Sequence, residues 1–199
     1  MRRFVDILVS VILLVLTSPI LLLVAIAVVL DSHGGPFYPG LRAGQNERIF
    51  RMWKFRTMVS GADRLGSITG NKDIRVTRVG RWLRKTKLDE LPQFINVLIG
   101  DMTLVGPRPE APDMVALYSP AQRAVLAVKP GVTGCVQLDS GDEAESIPAG
   151  VSADDYYVEH LMIGKLRRDL EYLQSRSPLS DARIVLQTAA LMFRHLVRL

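Results

Sequence analysis

Two adjacent carboxylates, Asp89 and Glu90, stand in the segment LRKTKLDELPQF, directly behind a dense run of cations. The surrounding cations are Lys54 and Arg56 in RIFRMWKFRTM, then Arg75, Arg78, Arg81 and Arg84 in the run that leads to the acids. Further on, Arg108 lies between Pro107 and Pro109, whose rings fix the backbone on either side. Guanidinium forks match phosphate oxygens well. A concentrated basic segment needs an anionic partner: nucleic acid, membrane headgroups or a phosphate-bearing substrate. The acids alone fit either a solvated turn with Asp89 as a helix cap or a reactive pair. Which of these holds depends on the elements that carry them.

The charge is unevenly distributed. The net charge is +5 over 199 residues, yet Asp31 to Lys87 carries thirteen Lys/Arg against four Asp/Glu. From Leu88 onward ten Lys/Arg face fifteen Asp/Glu. The single cysteine, Cys135, has no internal partner, so no oxidising compartment is implied. The length suits one domain with a sizeable core and one appendage. The apolar fraction of 48% is explained largely by the first thirty residues.

Ile7 to Leu30 is a run of 24 residues without a charge. As a helix it is roughly 36 Å long, enough for a bilayer core of ~30 Å. A secretory signal is disfavoured, because the apolar stretch is too long and carries a central proline. A simple spanning anchor conflicts with the positive-inside rule. Arg2 and Arg3 precede the run and the strongly basic segment follows it, so both flanks prefer the cytoplasm. Ser18-Pro19 at the centre offers a resolution. A helix broken there enters and leaves by one face, with Ser18 helping to satisfy the freed backbone.

Beyond the apolar run, DSHGGPFYPG reads as a turn-rich exit and RIFRMWKFRTM as a strand with one basic face. SGADRLGSITGNKD (60–73) reads as a mobile loop, and RWLRKTKL as an amphipathic element suited to an anionic surface. LDELPQFINVLIGD predicts a short helix with Asp89 as N-cap, Pro92 in its first turn and a stop near Gly100. TLVGPRPEAPD is expected to be extended. A longer helix is predicted over SADDYYVEHLMIGKLRRDLEYLQ, with a Ser152/Asp155 capping signature. Asp181 to Leu199 reads as a last apolar helix that either packs on the domain or lies at the membrane interface.

Several stretches together resemble one family. KFRTM (54–58), DIRVTRVGRWLRKTKLDELPQFINVLIGDMTLVGPRP (73–109) and KPGVTG (129–134), with the apolar run before them, are similar to the bacterial sugar transferases. Within these, the likeness is to the small monotopic polyprenyl-phosphate phosphoglycosyl transferases, over residues 2–134. The resemblance implies a mainly α fold with a small β element and a re-entrant N-terminal helix (residues 1–30). A cytoplasmic-face catalytic domain (31–199) follows, divergent over 134–199. It places the protein at the bacterial inner membrane, in contact with membrane lipids. It further implies transfer of a sugar 1-phosphate from a UDP-sugar to polyprenyl phosphate, releasing UMP and initiating surface-glycan synthesis. In the family this runs through an aspartyl phospho-sugar and requires Mg²⁺. Carried over by position, Asp89 is the nucleophile and Glu90 a metal ligand or proton carrier, with Asp89 and Glu90 as the metal pair. Lys54, Arg56, Arg75, Arg84 and Arg108 bind substrate.

General chemistry agrees with that assignment. A carboxylate attacking phosphorus splits one transfer into two in-line displacements, each aided by nearby cations. Three departures stand out: Gly40 where the family has Gln, Lys87 where Ser is common, and CVQLDSGDEAESIPAG where WAQVNGR usually follows KPGVTG. The last leaves the identity of the sugar open. Cys135 reads as a packing residue, and His33, His160 and His195 are too scattered for a metal cluster. Nucleic-acid binding is disfavoured by the membrane segment and the scarcity of basic–aromatic platforms. A non-catalytic, membrane-tethered scaffold is the competing reading, though it has no need of the acid pair with Arg108. The oligomeric state is left open.

Overall fold

The first helix, α1 (Arg2–Asp31), is continuous. The break expected at Ser18-Pro19 is absent, and the helix runs through the proline. The local chemistry explains how. Pro19 has no N–H for the Val15 carbonyl, and the Ser18 hydroxyl donates to that same carbonyl oxygen at 2.8 Å. The Thr17 hydroxyl donates to Leu13 O at 2.7 Å, one turn back. By length and composition α1 is able to cross a membrane. Its two ends nevertheless contact one body. At the start, the Arg3 guanidinium donates to Val97 O and Leu98 O, and Asp6 accepts from the Thr103 hydroxyl at 2.7 Å. At the end, Val24 and Val28 pack with Phe55 and Leu83, and Val79 N donates to Asp31 Oδ2 at 2.9 Å. Between them Val15, Leu16, Leu22 and Leu23 stay exposed.

The computed structural model describes residues 2–62, 68, 73–139, 146–148 and 151–197, with side chains as far as 194. Residues 140–145, which hold most of the acidic stretch, and most of the 60–73 loop lie outside these residues.

The exit from α1 is more regular than its glycines and prolines suggest. Phe37–Ala43 forms β1, paired antiparallel with β2 (Ile49–Phe55), Tyr38 opposite Lys54 and Pro39 opposite Trp53. The hairpin has only two strands, so Pro39 sits on an edge, where its missing donor breaks no ladder. The basic residues of β2 do not share a face. Arg51 is exposed, whereas Lys54 follows Phe50 and Met52 on the inner side.

Next comes α2 (Arg78–Thr86), capped by Thr77, whose hydroxyl accepts from Gly80 N at 2.9 Å. Gly80 is required for packing, since a Cβ there would lie 2.1 Å from Thr57 O. The helix ends at Lys87, which adopts a left-handed conformation (φ 58°) that costs a non-glycine residue about 1 kcal/mol. A single 3₁₀ turn, Leu88–Glu90, leads into α3 (Gln93–Ile99), whose stop is Gly100 at φ 103°. Asp89 is therefore not the helix cap: Pro92 holds that position, and no side chain caps α3.

A second small sheet pairs β3 (Thr103–Val105) in parallel with β4 (Gly131–Thr133). Between them lie α4 (Pro112–Ala116) and a 3₁₀ segment, Gln122–Ala127. Then follow α5 (Cys135–Asp139), α6 (Ala153–Tyr156), a π turn over Tyr157–Leu161, α7 (Met162–Ser175) and α8 (Pro178–Val197). The Ser152 hydroxyl caps α6 as expected. The principal core joins Met114, Val115 and Tyr118 to Tyr157, Met162 and Leu166, so the C-terminal helices close over the middle of the chain. The last helix packs on the domain. One face of α8 packs Ile184 against Leu104 and Val105, while Leu186 and Phe193 remain exposed. The chain is mainly helical with a small β element.

Candidate active site

The left-handed turn at Lys87 reverses the chain after α2 and sets the two acids between α2 and the inner face of the hairpin. Adjacent residues on this 3₁₀ turn point in different directions, and their surroundings differ accordingly. Glu90 Oε1 accepts from Lys54 Nζ at 2.9 Å and from Arg108 Nη2 at 2.8 Å. Asp89 is 7% exposed, and its Oδ1 has no hydrogen-bond partner among the described residues. A buried acceptor left unsatisfied carries a desolvation cost and is ready for a ligand atom.

Protonation follows from these environments. Burial is the main cause that pushes the Asp89 carboxyl up to about 6; the Glu90 anion adds to it, and Lys54, Arg84 and Lys87 oppose it. Glu90 is moved the other way. Burial would raise it, but Arg108 and Lys54 together hold it well below the usual carboxylate range. Burial lowers the Lys54 ammonium, with Glu90 opposing. Two neighbouring acids with pKa values driven apart by their surroundings are a mark of divided roles. A carboxylate held anionic by two cations is a poor proton carrier near neutrality.

These groups open onto a cavity of about 860 Å³. Its lining includes the polar side chains of Lys54, Arg84, Lys87, Asp89, Glu90 and Arg108. The same lining includes apolar side chains, among them Leu13 and Ile20 of α1 and Val185, Leu191 and Met192 of α8. All seven site residues expected from the sequence border this space, but their engagement differs. Arg84 Nε donates to the Thr57 hydroxyl at 2.9 Å, beside the acids. Arg56 is buried and donates to the carbonyls of Ser32, His33 and Gly34, pinning the loop that leaves α1. Arg75 grips Asp73 at 2.6 Å and the carbonyls of Ala62 and Ile68. The guanidinium groups of Arg56 and Arg75 thus organise backbone, while Lys54, Arg84 and Arg108 surround the carboxylates.

Four further residues border the cavity that sequence reasoning did not single out: Tyr38, Arg42, Glu110 and Gln137. Tyr38 and Arg42 sit on β1, the stretch read as irregular; their i, i+4 spacing with Gly40 between is the strand alternation that would have revealed them. Burial lowers the Arg42 guanidinium and Glu110 counteracts it. Gln137 also borders this space, but both atoms of its amide are buried and have no partner among the described residues. Cys135 contacts Asp169 Oδ1 at 3.5 Å on the far side of α5, a packing position remote from the acids.

Among the described residues no three His, Cys, Asp or Glu side chains converge on a ready-made metal cage. Mg²⁺ does not need one, since it is usually held by one or two carboxylates, waters and substrate phosphates. The orphaned Asp89 oxygen beside the Glu90 carboxylate fits that donor set.

The model of the bacterial sugar transferase family matches residues 1–195. An undecaprenyl-phosphate glucose phosphotransferase of Komagataeibacter xylinus is 40% identical over 195 residues, covering 94% of this chain and 35% of its own length. A UDP-N-acetylgalactosamine-undecaprenyl-phosphate N-acetylgalactosaminephosphotransferase of Aeromonas hydrophila is 37% identical over 191 residues, covering 94% of this chain and 42% of its own. EpsL, an uncharacterized sugar transferase of Bacillus subtilis (strain 168), is 39% identical over 161 residues, covering 80% and 78%. The chain thus spans less than half the length of the first two relatives, and those two act on different sugars. With a match across nearly its whole length, the chain belongs to the bacterial sugar transferase family.

Proposed function

We propose that this protein is a phosphoglycosyl transferase that moves a sugar 1-phosphate from a UDP-sugar to polyprenyl phosphate. The observation that carries this reading is the acid pair, with Glu90 held by Lys54 and Arg108, bordering a cavity lined by both charged and apolar side chains. The charged lining suits a diphosphate, and the apolar lining from α1 and α8 suits the tail of an anionic lipid acceptor. The relatives named for undecaprenyl-phosphate transfer support the same substrates.

In the first step an Asp89 carboxylate oxygen attacks the phosphorus that bears the sugar. The bond from that phosphorus to the bridging diphosphate oxygen breaks, and UMP leaves. In the second step a phosphate oxygen of polyprenyl phosphate attacks the same phosphorus. Asp89 departs as a free carboxylate, and polyprenyl-diphosphate sugar is formed. Arg108 and Lys54 spread positive charge over the phosphoryl oxygens, and their shared grip on Glu90 holds both at fixed distance from Asp89. Mg²⁺ would be held by Asp89 and Glu90 and would supply further charge neutralisation.

The site works at the inner face of the cytoplasmic membrane, with both ends of α1 on the cytoplasmic side. Arg3 and Asp6 at one end and Asp31 at the other bond to the same domain, which supports both ends lying on one face of the membrane over a crossing. The exposed apolar middle of α1 then faces lipid. The test is UMP release from a panel of UDP-sugars with polyprenyl phosphate and Mg²⁺ in nanodiscs. Release with at least one sugar is expected; no release with any of them contradicts the reading.

A further inference from the structure

A π turn at Tyr157–Leu161 interrupts what would otherwise be one helix from Ala153 to Ser175. Such turns are uncommon and concentrate at functional sites. This one coincides with a buried polar array. The Tyr157 hydroxyl donates to Glu110 Oε1, and Lys165 Nζ reaches that oxygen at 3.2 Å and the Tyr157 hydroxyl oxygen at 2.9 Å. Tyr157 is 1% exposed and Lys165 7%. Burying an ammonium with a carboxylate adds little stability over an apolar replacement, so fold stability alone accounts poorly for the array.

Its geometry points elsewhere. Glu110 lies two residues from Arg108, with only Pro109 between them. The backbone of this segment is clamped as well: Gly131 N donates to Pro107 O at 2.8 Å, and Ala43 N to Glu110 O at 2.9 Å. Elements from three parts of the chain therefore fix four residues, and the Arg108 fork meets Glu90 at 2.8 Å.

We propose that Tyr157 and Lys165 are positioning residues that act through Glu110, holding the Pro107–Glu110 segment so that Arg108 faces the diphosphate site beside Asp89. This rests on the phosphoglycosyl-transfer reading, which makes Arg108 a phosphate ligand. It also assigns a role to the divergent C-terminal part of the chain: α7 sets the aim of a residue in the shared motif.

The test is a double-mutant cycle read by calorimetric titration of the full chain in nanodiscs with UDP and Mg²⁺. Arg108→Ala is expected to weaken UDP binding ~10-fold. Lys165→Met and Tyr157→Phe are each expected to weaken it ~3- to 10-fold, and Lys165→Arg to restore most of the loss. In the Arg108→Ala background, Lys165→Met should add less than ~2-fold, because its effect passes through Arg108. A merely structural role would cost the same in both backgrounds. Where Lys165→Met does not fold, Tyr157→Phe, which removes one oxygen, carries the cycle. Wild-type affinity in both single variants, or equal losses in both backgrounds, overturns the proposal alone. Failure of the unsubstituted protein to bind UDP overturns this proposal together with the reading beneath it.

Discussion

Two buried acid clusters in this molecule look alike in composition and differ in use. In the first, Glu90 is gripped by Lys54 and Arg108 while Asp89 is pushed up to about 6. In the second, Glu110 is gripped by Lys165 and Tyr157, and burial pushes nearby Asp169 up to about 6 as well. A raised carboxyl therefore does not identify the reactive one. Access and satisfaction do. Asp89 has an oxygen without a partner and opens on about 860 Å³, whereas Asp169 accepts from Cys135 and borders a void of about 20 Å³, room for about one water. On the readings proposed above, the first cluster receives a ligand and the second holds a segment in place.

The largest separation between the clusters is expected on removing their acids. Asp89→Asn should lower turnover by ~10³-fold or more, since it deletes the nucleophile. Steady-state UMP release measures this, and full activity in the variant would erase the distinction. Arg108→Ala and Lys54→Met should each cost ~10²-fold in kcat, with a smaller change in KM for the UDP-sugar, as expected for charge stabilisation of the transferring group.

pH sharpens the comparison further. The attacking form of Asp89 is the anion, so the rate of the first step should fall ~10-fold per unit below an inflexion at about 6. Single-turnover measurements from pH 5 to 8 would show it, and Asp169→Asn should leave that inflexion in place.

The smallest kinetic effect belongs to Asp169→Asn itself, with turnover within ~3-fold of the unsubstituted protein. Its signature is stability. The folded-state pKa of Asp169 lies above its unfolded value, so this group contributes fully at low pH and the contribution is lost as pH rises through about 6. The amide, which never ionises, should stabilise the fold by on the order of 1–3 kcal/mol at pH 7.5 and by little near pH 4. Thermal melting in nanodiscs at the two pH values checks this.

The two clusters also differed in how visible they were beforehand. Asp89, Glu90, Lys54, Arg84 and Arg108 lie in motifs whose order is legible, because phosphate chemistry needs cations and carboxylates at close quarters. Their division of labour was not legible, since it depends on which oxygen of which acid the cations reach. Asp89 as a helix cap was the natural local reading. It failed because Lys87 takes a left-handed conformation and spends the acids on a 3₁₀ turn before α3 begins. Arg56 and Arg75 look like phosphate ligands by composition, yet tertiary packing places loop carbonyls against them. The second cluster left almost no trace, because its members are 47 and 55 residues apart in sequence and meet only when the C-terminal helices close over the core. The strand β1 was hidden by its own Pro39 and Gly40, which an edge position tolerates.

The central claim is that the orphaned carboxylate of Asp89 carries the phospho-sugar. Its most direct test is to incubate the protein in nanodiscs with a UDP-sugar labelled in the sugar, without lipid acceptor, and to map the label by peptide mass analysis. The account predicts a sugar-phosphate adduct on Asp89, absent from Asp89→Asn and discharged by added polyprenyl phosphate. Label on another residue, or full turnover by Asp89→Asn with no adduct in the unsubstituted protein, would contradict it.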